Sequence, residues 1–184
     1  MQKSDTALLI IDMINHFKFR NGTACYRHTL QITDPILLVK AKACAARIPI
    51  IYINDHYNLW QADFQKIIFM CRTKENNSYI SMIAPQPNDY FLIKPKHSAF
   101  YGTSLNTMLH QFGVKRLIIT GIAGNICVLF TANDAYMREY SLVCPADCIA
   151  SADVEDNTYA LTMMANVLKA DIRNSTAIIN EYFN

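Results

Sequence analysis

With 184 residues, 52% of them hydrophobic and 17% charged, the chain is long enough to bury a substantial core and too apolar to stay disordered. One domain spanning 1–184 is expected. The net charge of +2 arises from 17 basic and 15 acidic residues without a dense Lys/Arg block, so nucleic acid is not an expected partner. No segment reaches the ~20 apolar residues of a membrane span, and the opening MQKSDTALLIID lacks the apolar stretch of a secretory signal. A cytoplasmic location with no membrane partner is the expectation.

In chain order, apolar runs stand at 7–11 (ALLII), 48–53 (IPIIYI), 90–93 (YFLI), 116–120 (RLIIT), 141–144 (SLVC) and 176–179 (TAII). Runs apolar on both faces suit strands covered from both sides. The intervening stretches at about 33–46, 103–112, 127–139 and 154–169 read as helices, the last with a possible cap among Ser151, Ala152 and Asp153. Alternation of this kind predicts an α/β fold in three layers, with a mainly parallel, doubly wound, Rossmann-like sheet. The least regular stretch, about 54–89, reads as helix plus loops shaping one side of a pocket. No G-x-G-x-x-G follows the first strand, which argues against dinucleotide binding.

Six cysteines (Cys25, Cys44, Cys71, Cys127, Cys144 and Cys148) form no CxxC pair. In a reducing compartment each is either a small buried hydrophobe or a reactive group. Position separates them. Ligands of open parallel sheets lie beyond the carboxyl ends of the strands, and three polar residues meet that test. Asp12 follows ALLII, Lys94 follows YFLI, and Cys127 follows RLIIT through the turn GIAGNI. An acid, an ammonium and a thiol at one edge suit nucleophilic chemistry, because a cation and a helix N-terminus both favour thiolate. A carboxylate there can equally cap a helix, a lysine can be solvated, and a cysteine can be packing.

The segments ALLIIDMINHF, KPKHSAFYGTSL and TGIAGNICVLFTANDAYMREY carry Asp-x4-Phe, Lys-x3-Ser-Ala-Phe and Gly-x5-Cys-Val-x2-Thr-Ala. In order and spacing they resemble the three signature regions of the isochorismatase-like cysteine hydrolases, a group that includes nicotinamidases and N-carbamoylsarcosine amidohydrolase. The resemblance spans about 12 to 147. It implies Cys127 as nucleophile, Asp12 as general acid/base and Lys94 as electrostatic partner, cleaving a C–N bond of a small amide or ureide. It further implies a cis peptide bond between Ile122 and Ala123, with the backbone N–H groups of Ala123 and Cys127 as oxyanion donors. Phe17, Trp60, His97, Tyr101 and Asn125 become candidates for substrate contact, and assembly as a homo-oligomer is expected.

Two departures from the family pattern matter. Nicotinamidases carry a metal site resembling Asp-x-His, whereas Asp55 here is followed by His56 and then Tyr57, so no metal or other cofactor is expected. His97 stands where the family often has arginine, which weakens anion binding at that point. A metal-dependent nicotinamidase and a non-catalytic binding protein of the same fold remain as alternatives.

Overall fold

A computed structural model describes residues 3–183. Six strands form one parallel sheet: β1 (Thr6–Ile11), β2 (Ile50–Asp55), β3 (Tyr90–Lys94), β4 (Arg116–Ile122), β5 (Ser141–Val143) and β6 (Ile149–Ala150). Their order is β3-β2-β1-β4-β5, and β6 pairs with the far end of β4. The order reverses at β1, whose neighbours are β2 and β4. That reversal opens a crevice beyond the carboxyl ends of the central strands.

Alternate residues of each central strand feed opposite layers. Leu8, Ile10, Tyr52 and Ile118 pack beneath α1 (Gly22–Ala45), α2 (Phe64–Cys71), α3 (Asn77–Ile83) and α7 (Ser175–Tyr182). Ala7, Leu9, Ile11, Ile51, Ile53, Leu117 and Ile119 pack beneath α4 (Leu105–Phe112), α5 (Leu129–Tyr136) and α6 (Val154–Asn166). Full burial of each Leu or Ile among them is worth about 1.5–3 kcal/mol, which is why the strands read as unbroken apolar runs.

Four elements differ from the sequence reading, the first being β6, a two-residue strand that no apolar run marked. TAII is helical and lies in α7, because Asn174 caps the helix by accepting from the N–H of Ala177, and Ser175 is tied to Asp147 by both its N–H and its hydroxyl. Helix α1 begins at Gly22, eleven residues before the expected start. The hydroxyls of Thr29 and Thr33 bond back to the carbonyls of Cys25 and Thr29, so two poor helix formers are buried within it. The stretch 127–139 starts earlier, as a π-helical turn over Gly124–Val128 that leads into α5.

Gly121 is the tightest point of the sheet. It lies opposite Ile11 with φ +115°, and a Cβ there would strike the Ile11 backbone. Gly121→Ala is expected to cost about 2 kcal/mol or more, and so to lower the melting temperature by several degrees. An unchanged melting curve would show that the strand has room.

Buried thiols set a second expectation. Burial pushes Cys71 up to about 11 and Cys144 up to about 12, above the ordinary 9.0. Above pH 9 the unfolded chain sheds these protons while the folded chain keeps them. Their contribution is therefore fully present below pH 9 and is lost as pH rises through 11–12, by ~1.4 kcal/mol per pH unit for each thiol. Thermal midpoints should fall above pH 9, and fall less steeply in Cys144→Ala. Equal slopes would remove Cys144 from the account.

Candidate active site

Each signature residue stands where a strand ends. Asp12 follows β1 directly and leaves the sheet with φ +53°, its N–H still donating to Ile53 O at 2.9 Å. The N–H of Asp55, at the end of β2, donates to Asp12 Oδ1 at 2.9 Å. The carboxylate thus occupies the ladder position that a strand carbonyl would have filled. Lys94 ends β3 in register with Asp55, and its ammonium meets Asp12 Oδ2 at 2.8 Å. The same Nζ lies 3.4 Å from Cys127 Sγ. Asp12 and Lys94 are 6% and 2% exposed, so the pair is withdrawn from water and its attraction is little screened.

Cys127 sits in the π-helical turn that follows β4. The turn is reached through a cis peptide between Ile122 and Ala123. Thr131 donates its hydroxyl to Cys127 O at 2.7 Å and accepts the Ala99 N–H at 2.9 Å, tying the helix that carries Cys127 to the segment after β3.

Burial pushes the Cys127 thiol up to about 12; the Asp12 carboxylate adds to this and the Lys94 ammonium opposes it. Burial also disfavours the Lys94 ammonium, but Asp12 and Cys127 outweigh that effect and hold its pKa above the ordinary lysine value. Burial and the Asp12 carboxylate thus work against ionisation of the sulfur, and the Lys94 ammonium works for it. Lys94 is committed to Asp12 at the shorter distance.

Asp12, Lys94 and Cys127 line one open cavity of about 480 Å³ with Asn15, His16, Phe19, Asp55, His56, Tyr57, Asn58, Pro95, Lys96 and His97. Of the other candidates, His97 is in this wall, its ring 5.5 Å from that of Phe130. Phe17 is not. It turns into the core against Tyr26 and Tyr79, and Phe19 takes the place at the cavity. Trp60 is 65% exposed and meets the cavity only through His56, on which it stacks at 3.9 Å. Tyr101 is 60% exposed and lies outside the wall. Asn125 is drawn away toward α6, its N–H on Ser151 Oγ and its amide on Asp156. Sequence reasoning passed over Asn15, His16, Phe19, Asn58 and Lys96. Their one available signal was that each closely follows a strand's carboxyl end.

The donors that a metal would need do not converge. Asp55 Oδ1 accepts the Tyr57 N–H, His56 Nδ1 accepts the Asn58 N–H with its ring against Trp60, and the Tyr57 hydroxyl donates to Ile14 O. Among the described residues no group of three or more His, Cys, Asp or Glu side chains is placed to hold an ion.

The isochorismatase domain model matches residues 6–174. An isochorismatase family protein of Bacillus subtilis (strain 168) is 57% identical over 98% of this chain and 100% of its own length. A ureidoacrylate amidohydrolase of Methylorubrum extorquens is 30% identical over 80% of this chain and 70% of its own. Among solved structures, N-carbamoylsarcosine amidase from Thermoplasma acidophilum superimposes with TM-score 0.72 at 27% identity, over 94% of this chain and 97% of that one. The nicotinamidase of Staphylococcus aureus does so with TM-score 0.72 at 25% identity, over 94% and 98%. With the domain model covering residues 6–174 and a family member 57% identical over nearly the whole chain, the chain belongs to the isochorismatase family.

Proposed function

We propose that this chain hydrolyses a C–N bond of a small amide or ureide through a thioester on Cys127. The observation that carries the reading is the single ammonium, Lys94 Nζ, in contact with both Asp12 Oδ2 and Cys127 Sγ at the wall of an open cavity. Among the relatives named above are a ureidoacrylate amidohydrolase, an N-carbamoylsarcosine amidase and a nicotinamidase, all C–N hydrolases by name.

Burial, which pushes the Cys127 thiol up, favours a first step in which Sγ gives its proton to the Asp12 carboxylate as the sulfur attacks the carbonyl carbon. The C=O electron pair moves to oxygen, and the backbone N–H groups of Ala123 and Cys127 receive that oxyanion, a contribution of ~3 kcal/mol per donor. On collapse the C–N bond breaks, and Asp12 returns its proton to the departing nitrogen. Water then gives a proton to Asp12 while its oxygen attacks the thioester carbon. The acid leaves and the thiol is restored. Lys94 holds the Asp12 carboxylate in place and stabilises the sulfur anion while it exists.

The cavity wall favours a polar substrate. Asn15, His16, Asp55, Asn58, Lys96 and His97 offer hydrogen bonds around the reacting carbon, and Phe19 and Tyr57 supply limited apolar surface. A metal-assisted nicotinamidase reading lacks converging donors, and a binding protein without turnover would not need the thiol, carboxylate and ammonium to meet.

An ammonia-release screen over small amides, ureides and nicotinamide tests this, with Cys127→Ala as the blank. Asp12→Asn is expected to lower turnover by ~10²–10⁴-fold and, by leaving Lys94 buried without its anion, to lower the melting temperature as well. Lys94→Ala should also lose turnover and, by leaving Asp12 buried without its cation, destabilise the chain by about 3–5 kcal/mol. Activity should survive dialysis against a chelator. Ammonia release by Cys127→Ala at the wild-type rate would end the thioester proposal.

A further inference from the structure

The four residues after β1 run through the interior without regular structure. Met13 and Ile14 are fully buried, so their peptide groups must find partners other than water. Side chains from other elements supply them. Tyr79 of α3 donates its hydroxyl to Met13 O at 2.6 Å, and Asn76 donates its amide to Asn15 O at 3.1 Å. Ile14 is held most heavily. Its N–H donates to Asn54 Oδ1 at 3.1 Å, while Asn54 Nδ2 donates to Ile14 O at 2.9 Å. The same carbonyl receives the Tyr57 hydroxyl at 3.2 Å and the Cys71 thiol at 3.5 Å.

Asn54 differs from the others in reach and place. Its carboxamide alone satisfies both the N–H and the C=O of one residue, as a paired strand would. It is 1% exposed, and it immediately precedes Asp55, whose N–H fixes Asp12 Oδ1. The end of β2 therefore holds the turn at two points: the Asp12 side chain through a backbone N–H, and the peptide two residues later through a side chain. Between these points lies the left-handed backbone of Asp12, φ +53°, a conformation that a non-glycine residue keeps only when its surroundings enforce it. The direction of the carboxylate toward Lys94 and Cys127 follows from that backbone.

We infer that Asn54 is a positioning residue for the proton-transfer carboxylate: by gripping both sides of the Ile14 backbone it holds Asp12 where one oxygen meets Lys94 and the group can take the proton of Cys127. The inference rests on the reading of Asp12 as the base for Cys127. It predicts that loss of the carboxamide slows the chemistry and not the binding, since Asn54 is outside the cavity wall.

Steady-state kinetics with a substrate from the ammonia screen reads this. Three variants are compared at a temperature where circular dichroism shows each folded: Asn54→Leu, of similar size but without hydrogen bonds, Asn54→Gln, which keeps the carboxamide, and Asp12→Asn. Asn54→Leu should lose kcat on the order of 10- to 100-fold, the scale of an ångström-level misplacement of a catalytic group, while KM stays within about threefold. Asn54→Gln should recover at least part of kcat. A folded Asn54→Leu protein turning over within twofold of the parent, while Asp12→Asn is slow, would overturn the inference and leave the base assignment intact. A parental rate in Asp12→Asn would instead overturn the base assignment. Failure of both Asn54 variants to fold would assign the residue to the fold itself and overturn the inference equally.

Discussion

A carboxylate and an ammonium that are both removed from water must be paired and hydrogen-bonded, or the fold cannot keep them. Desolvation costs several kcal/mol per ion, against a net folding free energy of about 5–15 kcal/mol. The Asp12–Lys94 contact at 2.8 Å meets that demand, and the surrounding architecture follows from it. Lys94 and Asp55 are in register on β3 and β2, Asp12 lies one residue beyond the last residue of β1, and the Asp55 N–H closes the remaining side of the carboxylate. A shift of β3 by one residue would turn Lys94 to the opposite face and leave Asp12 charged and alone. The register of three parallel strands is thus fixed by packing along their length and by charge at their ends.

The same pair governs the sulfur. A cation 3.4 Å away favours thiolate, while burial and the Asp12 carboxylate oppose it and push the thiol up. A resting thiolate in a cavity open to solvent would be exposed to alkylation and oxidation. On the proposed mechanism, a proton held on sulfur until an acceptor carbonyl arrives would couple ionisation to attack, and the direction of the Asp12 carboxylate would matter more than the bulk positive charge of the site.

Much of this edge was legible in the sequence because strand ends are legible: unbroken apolar runs stop at Asp12 and Lys94, and a Gly-flanked turn delivers Cys127. What was not legible depended on contacts distant in sequence. TAII has the composition of a strand, but the cap at Asn174 and the Asp147–Ser175 bonds make it a helix. Thr29, Thr33 and Pro35 dilute the helical pattern of α1, although the two hydroxyls are satisfied inside it. Phe17 and Phe19 are equally aromatic, and only the turn after Asp12 decides which faces the core. Lys40 and Asp89 form a second buried pair at 2.7 Å, near the amino end of β3, where the Lys40 ammonium also meets the Tyr52 hydroxyl. Charge pattern cannot separate that pair from Asp12–Lys94; the end of the sheet on which each falls can.

The stretch between β2 and β3, read from sequence as the least regular, contributes to two different tasks. Its first residues, His56 to Asn58, stand in the cavity wall beside Asp55 of β2, with Tyr57 and Asn58 in left-handed backbone and His56 braced by Trp60. Its later residues, Cys71, Asn76 and Tyr79, reach under the sheet edge to the carbonyls of residues 13–15. One segment therefore shapes the space in which a substrate lies and supports the turn carrying the carboxylate that would act on it. Changes at exposed Asn58 would alter the wall while leaving the hydrogen bonds of the turn intact; changes at buried Asn76 or Tyr79 would loosen the turn while the wall kept its composition. On the proposed mechanism, substrate choice and proton transfer would be separable along this segment by burial, so that one arrangement of thiol, carboxylate and ammonium could be kept while the pocket around it diverged.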